Sequence, residues 1–222
     1  MPGLECVEVN PGGSPDRVVI WLHGLGADGN DFEPIVRELS LPEAMGVRFV
    51  FPHAPMRTVT INNGLLMRAW YDIYDLDLAQ QDEDGIRESE RAVALLVENE
   101  SAAGIPPERI VLAGFSQGGA IALQTALRYP KRLAGVLALS CYLPLAETLE
   151  REAAEENAQI PIFMAHGLND PVVPLQGAEM SREFLEGRGY PVEWRTYPMD
   201  HSVCLEEVQH IAAWFQRILR DS

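Results

Sequence analysis

What the sequence lacks narrows it first. No apolar run approaches the roughly 20 residues a membrane-crossing helix needs, so no stable membrane insertion is expected. Cysteine is scarce: Cys6, Cys141 and Cys204 are too few and too scattered for a disulfide framework or a zinc site. A reducing cytoplasm is the default compartment. The stretch from Met1 to Gly13 has no basic region leading into an apolar core, so no export signal is expected. Positive charge is also short, with 17 Lys and Arg against 33 Asp and Glu, a formal net charge of −16. Nucleic acid partners draw on Lys and Arg clusters that neutralise phosphates, and no such cluster occurs. Anionic membrane surfaces are disfavoured for the same reason. Internal repeats, low-complexity tracts and long linkers are missing too. The 222 residues therefore read as one domain, a length open α/β sheets commonly reach.

What is present is apolar and rhythmic. Apolar side chains make up 47% of the chain, which excludes disorder and supplies a core without staples. Arg17–Leu22, Val47–Phe51, Arg109–Phe115, Leu133–Ser140, Pro161–His166 and Val192–Tyr197 read as strands. Four of them are nearly continuous apolar runs, as parallel strands covered on both faces require. Helical periods lie between them. Ile86, Val93, Leu96 and Val97 share one stripe, and Leu205, Val208, Ile211, Ala212, Phe215 and Leu219 another. Asn30, with Glu33 three residues on, predicts a helix N-cap ahead of Ile35–Leu39. Strand alternating with helix gives an α/β fold, a mostly parallel sheet with helices on both faces.

Two segments break this rhythm. Residues 55–78 exceed a simple connection and hold Ile61, Leu65, Leu66, Met67, Trp70 and Tyr71, which are expected to face the core or a binding pocket. Glu147–Gln159 is densely acidic and reads as a solvated surface helix.

Chemistry concentrates at Gly114-Phe115-Ser116-Gln117-Gly118, a G-x-S-x-G motif between an apolar strand and a helical Gly119–Tyr129. A serine on a sharp strand-to-helix turn needs small neighbours two residues away, and the helix N-terminus favours developing negative charge. A hydroxyl at neutral pH also needs a general base oriented by a third group. Where the chain order is nucleophile, acid, base, His201 is placed after the last strand. His210 falls inside the terminal helix and His53 precedes the serine. His23 and His166 end strands in front of glycine, where backbone partners are the expectation. Asp170 follows Pro161–His166 directly, and Pro171 excludes helical geometry there. Asp200 is a rival by adjacency, but a residue next to the histidine reaches its Nδ1 poorly. Oxyanion donors are expected from the Gln117 N–H and from the His23-Gly24-Leu25-Gly26 loop.

Leu22-His23-Gly24-Leu25-Gly26, Gly114 through Gly119, Ser140-Cys141-Tyr142-Leu143-Pro144 and His166-Gly167 through Pro174 occur in that order. Together with Trp70-Tyr71-Asp72, a Trp-aromatic-Asp tripeptide, they resemble the phospholipase/carboxylesterase family, from about Val18 to Phe215. The resemblance implies an α/β-hydrolase fold, Ser116 as nucleophile, Asp170 and His201 as its partners, and Leu25 and Gln117 as oxyanion donors. It also implies that residues 55–78 lie near an acyl pocket, with Leu65, Leu66 and Trp70 as candidate substrate-binding residues. One departure is Ala27, where the thioesterase branch often has aspartate. Asp28 comes one position late, and Phe32 stands where a tryptophan is often found. That favours the bacterial carboxylesterase branch.

The leading expectation is a serine hydrolase of carboxylic esters with short-to-medium acyl chains, working through an acyl-enzyme without metal or organic cofactor. An acyl-protein thioesterase or a lysophospholipase-type hydrolase would use the same triad. A non-catalytic binding protein of this fold is disfavoured because such proteins normally lose a triad member. The expected partner is a small ester or thioester, and the sequence leaves a homodimer open.

Overall fold

Strands that are apolar on both faces need cover on both sides. The structure, a computed structural model, describes residues 3–10, 14–75 and 80–220 and shows how that cover is arranged. In chain order the strands are β1 (Cys6–Val9), β2 (Arg17–Leu22), β3 (Val47–Pro52), β4 (Met56–Val59), β5 (Leu65–Arg68), β6 (Ile110–Phe115), β7 (Gly135–Leu139), β8 (Ile162–Gly167) and β9 (Val192–Tyr197). Seven form one sheet in the order β1-β3-β2-β6-β7-β8-β9, parallel except for β1 against β3. The edge strand β1 was not expected, because its three half-buried residues and the exposed Glu8 carry little apolar pattern.

Alternation along β2 assigns the two faces. Val18, Ile20 and Leu22 enter the core under α2 (Glu83–Ala102) and α3 (Gln117–Arg128). Val19 and Trp21 enter the opposite core with α1 (Ile35–Leu39) and α6 (Leu205–Ile218). The expected helical stripes are the buried ones, except that Leu205 at the start of α6 is exposed. The chain leaves β2 for β3 on one side and builds β6 through β9 on the other. A crevice therefore opens at the carboxyl ends of β2 and β6, where ligands of open α/β sheets bind.

Two local expectations fail for identifiable reasons. The Asn30 side chain bonds Asp28 Oδ1 at 2.9 Å instead of capping α1, which starts after Pro34 without a side-chain cap. A nearby acceptor has outcompeted the helix end. The acidic segment is not one solvated helix either. It breaks into a turn at Ala146–Thr148, the short α4 (Leu149–Glu152) and a turn at Glu155–Asn157. Leu149 and Asn157 are buried, and Glu152 accepts from Arg87 and Arg128 at 2.7 and 2.8 Å. Its acidity serves ion pairing and its Asn157 amide holds the Tyr129 and Lys131 carbonyls.

The excursion folds into a two-stranded hairpin of β4 and β5, and its expected end at 76–78 lies outside the described residues. Among the described residues no helix is long and apolar enough to cross a membrane.

Candidate active site

The site begins with a steric constraint. Ser116 follows β6 with φ 55° and ψ −124°, a backbone conformation L-residues rarely adopt. The turn is tight enough that a Cβ on Gly114 would stand 2.3 Å from the Gly118 backbone, and one on Gly118 would stand 2.3 Å from the Leu22 carbonyl oxygen. Glycine at both positions is therefore what lets β2, β6 and α3 meet. The Ser116 N–H is held by the Leu139 carbonyl at 2.8 Å, so the hydroxyl is presented at the sheet's carboxyl edge.

Two loops from the far strands meet this serine. Asp170, in the loop after β8, has a buried carboxylate whose Oδ1 accepts the Val172 and Val173 N–H groups at 2.8 and 2.9 Å. Its Oδ2 lies 2.6 Å from His201 Nδ1, and His201 Nε2 lies 2.9 Å from Ser116 Oγ. A carboxylate only accepts, so the imidazole proton sits on Nδ1 and the Nε2 lone pair faces the serine. The loop bearing His201 closes over the acid loop through Asn169 N–H to Met199 O at 3.0 Å. That closure needs Gly167, where a Cβ would stand 2.3 Å from the Asp200 carbonyl oxygen. Asp200 itself is exposed, and its side chain makes no bond to His201 among the described residues. The Phe115 ring packs on the imidazole, centroids 4.7 Å apart.

The other four histidines have separate partners. His23 Nδ1 lies 2.7 Å from the Gly24 carbonyl and its Nε2 accepts the Ala54 N–H. His53 accepts the Gly29 N–H, and His210 pairs with the Tyr197 hydroxyl. His166 is closer to the chemistry. Its Nε2 donates to the Val173 carbonyl at 2.9 Å and also stands 3.4 Å from Asp170 Oδ2. Burial lowers its pKa, so it is neutral, and its Nδ1 is buried without a partner.

The oxyanion side has two backbone donors available. Gln117 opens α3, where the first N–H groups lack intrahelical partners. Among the described residues no carbonyl accepts the Leu25 N–H, while the next residue, Gly26, at φ 77°, donates to the Arg68 carbonyl at 2.9 Å. The Gln117 side chain does a second task. Its Oε1 accepts the Trp70 N–H and its Nε2 donates to the Tyr71 carbonyl, each at 2.7 Å. This amide clips the excursion onto the start of α3. Trp70 is fully buried, and its indole N–H donates to the His23 carbonyl at 2.9 Å. The ring of Trp70, a candidate substrate-binding residue, thus packs beneath the segment that starts at His23. Leu65 and Leu66 are 62% and 64% exposed at the hairpin, so the core is not where they reside.

These contacts explain why some functional residues were missed. The tripeptide at 70–72 stood out in the sequence, but nothing in it told a ring under the loop from a ring in a pocket. His166 offered a single cue, its place before Gly167 in the acid loop. Among the described residues no group of His, Cys, Asp and Glu could hold a metal ion.

The comparisons with known proteins converge. The phospholipase/carboxylesterase family model matches residues 4–219. Acyl-protein thioesterase 1 of Gibberella zeae is 38% identical over 211 residues, covering 90% of each chain. Carboxylesterase SOBER1 of Arabidopsis thaliana is 35% identical over 208 residues, 92% of this chain and 91% of that one. The SOBER1 crystal structure superposes with a TM-score of 0.87 at 34% identity, covering 91% of this chain and 99% of that one. The chain belongs to the phospholipase/carboxylesterase family of α/β-hydrolases and is a serine hydrolase of the esterase and thioesterase kind.

Proposed function

We propose that Ser116, His201 and Asp170 hydrolyse carboxylic esters of short-to-medium acyl chains through a covalent acyl-enzyme. One observation carries this reading: the unbroken line from buried Asp170 through His201 to Ser116 Oγ, at 2.6 and 2.9 Å. As Ser116 Oγ attacks the ester carbonyl, His201 Nε2 takes its proton and Asp170 supports the imidazolium. The Leu25 and Gln117 N–H groups donate to the oxyanion. The imidazolium then gives its proton to the departing alcohol, leaving Ser116 acylated. Water, deprotonated by the same imidazole, attacks the acyl carbonyl and releases the acid with Ser116 restored. None of these steps needs a metal or an organic cofactor. The short-to-medium range rests on Ala27 and Phe32, the departures from the thioesterase pattern.

A thioester would follow the same route with a thiol leaving, and the name of the Gibberella zeae relative favours keeping that reading beside the first. Hydrolysis of paired ester and thioester series, acetyl to palmitoyl, separates them. The ester reading expects kcat/KM to peak between butyrate and octanoate esters, and a palmitoyl thioester as best substrate would overturn it. A phosphonate should label Ser116 alone, and labelling elsewhere would sink the triad assignment.

A further inference from the structure

A second cleft, of about 340 Å³, lies behind the oxyanion loop, between α2, the segment at Leu4 and the base of the hairpin. Leu4, Ala54, Pro55, Ala92, Leu95 and Leu96 make its walls apolar. Its polar groups are unequal. Arg57 is spent, donating from Nε to the Ala69 carbonyl at 2.9 Å and from Nη2 to Glu88 at 3.2 Å. Arg68 donates from Nη1 to the Ala54 carbonyl at 2.8 Å and has no carboxylate partner among the described residues. A guanidinium carries five N–H donors, and the Ala54 carbonyl takes one of those on Arg68, which lines the cleft. Glu5 also borders the cleft, but it is exposed, where water screens its charge. An unpaired, half-buried cation beside apolar walls matches a small amphipathic anion. At about 30 Å³ per water-sized group, the volume suits a carboxylic acid of about eight carbons.

The cleft is wired to the catalytic loop. The Arg68 carbonyl accepts the Gly26 N–H at 2.9 Å, the Ala54 N–H donates to His23 Nε2 at 3.0 Å, and His53 Nδ1 accepts the Gly29 N–H at 3.0 Å. Three wall residues thus hold the segment that presents the Leu25 N–H. We propose that this cleft is a second binding site, for medium-chain carboxylates, in which the acid pairs with Arg68 and its occupancy steadies the oxyanion loop. Its ligand is of the class that ester hydrolysis releases, and in that respect it rests on the esterase reading. Occupancy fixes Arg68, hence its carbonyl and the Gly26 N–H, and reduces the freedom of the Leu25 donor before the oxyanion forms.

The test uses enzyme whose Ser116 has been capped with a short phosphonate and measures octanoate binding by calorimetry. One octanoate should still bind per chain, and 1-octanol, which lacks the charge, should bind at least tenfold more weakly. Arg68→Gln removes the guanidinium and Ala92→Trp fills the cleft from α2, and each should weaken octanoate at least tenfold. On the uncapped enzyme, octanoate should raise kcat/KM for an acetyl ester two- to fivefold, and Ala92→Trp should keep the basal rate while losing the rise. Failure of the capping reaction would strike the serine assignment, not the cleft. Octanoate binding that vanishes on capping, or that both variants retain, overturns the proposal, as does inhibition of the acetyl esterase that Ala92→Trp leaves unchanged.

Discussion

At the carboxyl end of β6 a methyl group on Gly118 would stand 2.3 Å from a carbonyl oxygen, whereas in the hairpin Leu65 and Leu66 leave more than half their surface in water. The first region has no room for another side chain, and the outer edge of the second is little held by packing. Between them lies one joint, where the Gln117 amide and the Trp70 indole tie the base of the excursion to α3 and to the His23 carbonyl. The proposed donors and triad thus stand on tightly packed strand ends, while the outer hairpin stands in solvent. Chemistry that fails with small displacements is expected where displacement is blocked, and a surface that selects among substrates where substitution costs little fold stability.

The comparison breaks most sharply at the acid. Asp170→Asn should lower kcat by about 10⁴, because the imidazole tautomer and the imidazolium both lose support, while Asp200→Asn should stay within a fewfold of the parent. Circular dichroism on both variants checks that the fold is kept. A more damaging Asp200 variant would place the acid in the wrong loop.

A smaller effect is expected one layer further back. His166 donates to the Val173 carbonyl and lies 3.4 Å from Asp170 Oδ2, with His201 and Glu179 the other ionisable groups nearby. His166→Leu removes the N–H that the Val173 carbonyl accepts and so loosens the loop that holds Asp170, worth roughly tenfold in kcat with KM little changed. His166→Gln, which restores an N–H near the Nε2 position, should recover part of the rate, and a His166→Leu variant with the parent's kcat would show that this bond does not position the acid.

The packed half of the molecule also contains a cost. Glu207 in the first turn of α6 is fully buried and both carboxyl oxygens lack a partner. Burial lifts its pKa to about 8, with the nearby Cys204 N–H offsetting only part. A folded value above the unfolded one means the stability present below about pH 4.5 is lost as pH rises through about 8. Glu207→Gln should match the parent's melting temperature at pH 4 and exceed it by about 5 °C at pH 9, roughly 2 kcal/mol for a chain of this size. A constant difference across pH would show that the carboxyl does not titrate in that window.

The same contrast governs what the sequence made legible. Gly114, Ser116 and Gly118 were readable because the turn admits no alternatives, and the apolar runs of β2, β6 and β8 because both faces are covered. Edge and surface features were not. β1 has too little buried surface to pattern its residues, Asn30 could choose between a helix end and Asp28, and the acids of α4 looked solvated until Arg87 and Arg128 were folded against them. Trp70 illustrates the intermediate case: its importance was visible, and the direction its ring faces was not, because that depends on residues 47 positions away in the chain.

The hairpin gives the smallest expected effect and the finest test. Leu65 and Leu66 were expected in the core or along a pocket, and their exposure excludes the core. Leu65→Ala and Leu66→Ala should therefore change stability by no more than about 0.5 kcal/mol, far from the 2–5 kcal/mol of a core truncation. If an acyl chain lies against either side chain in the bound state, the loss falls on long chains and spares short ones, because each lost methylene contact is worth about 1 kcal/mol. The ratio of kcat/KM for octanoate over butyrate esters should then fall about three- to fivefold in at least one variant, with melting unchanged. A ratio equal to the parent's in both variants would remove the two leucines from the substrate's path and leave the hairpin's apolar edge without a role in acyl selection.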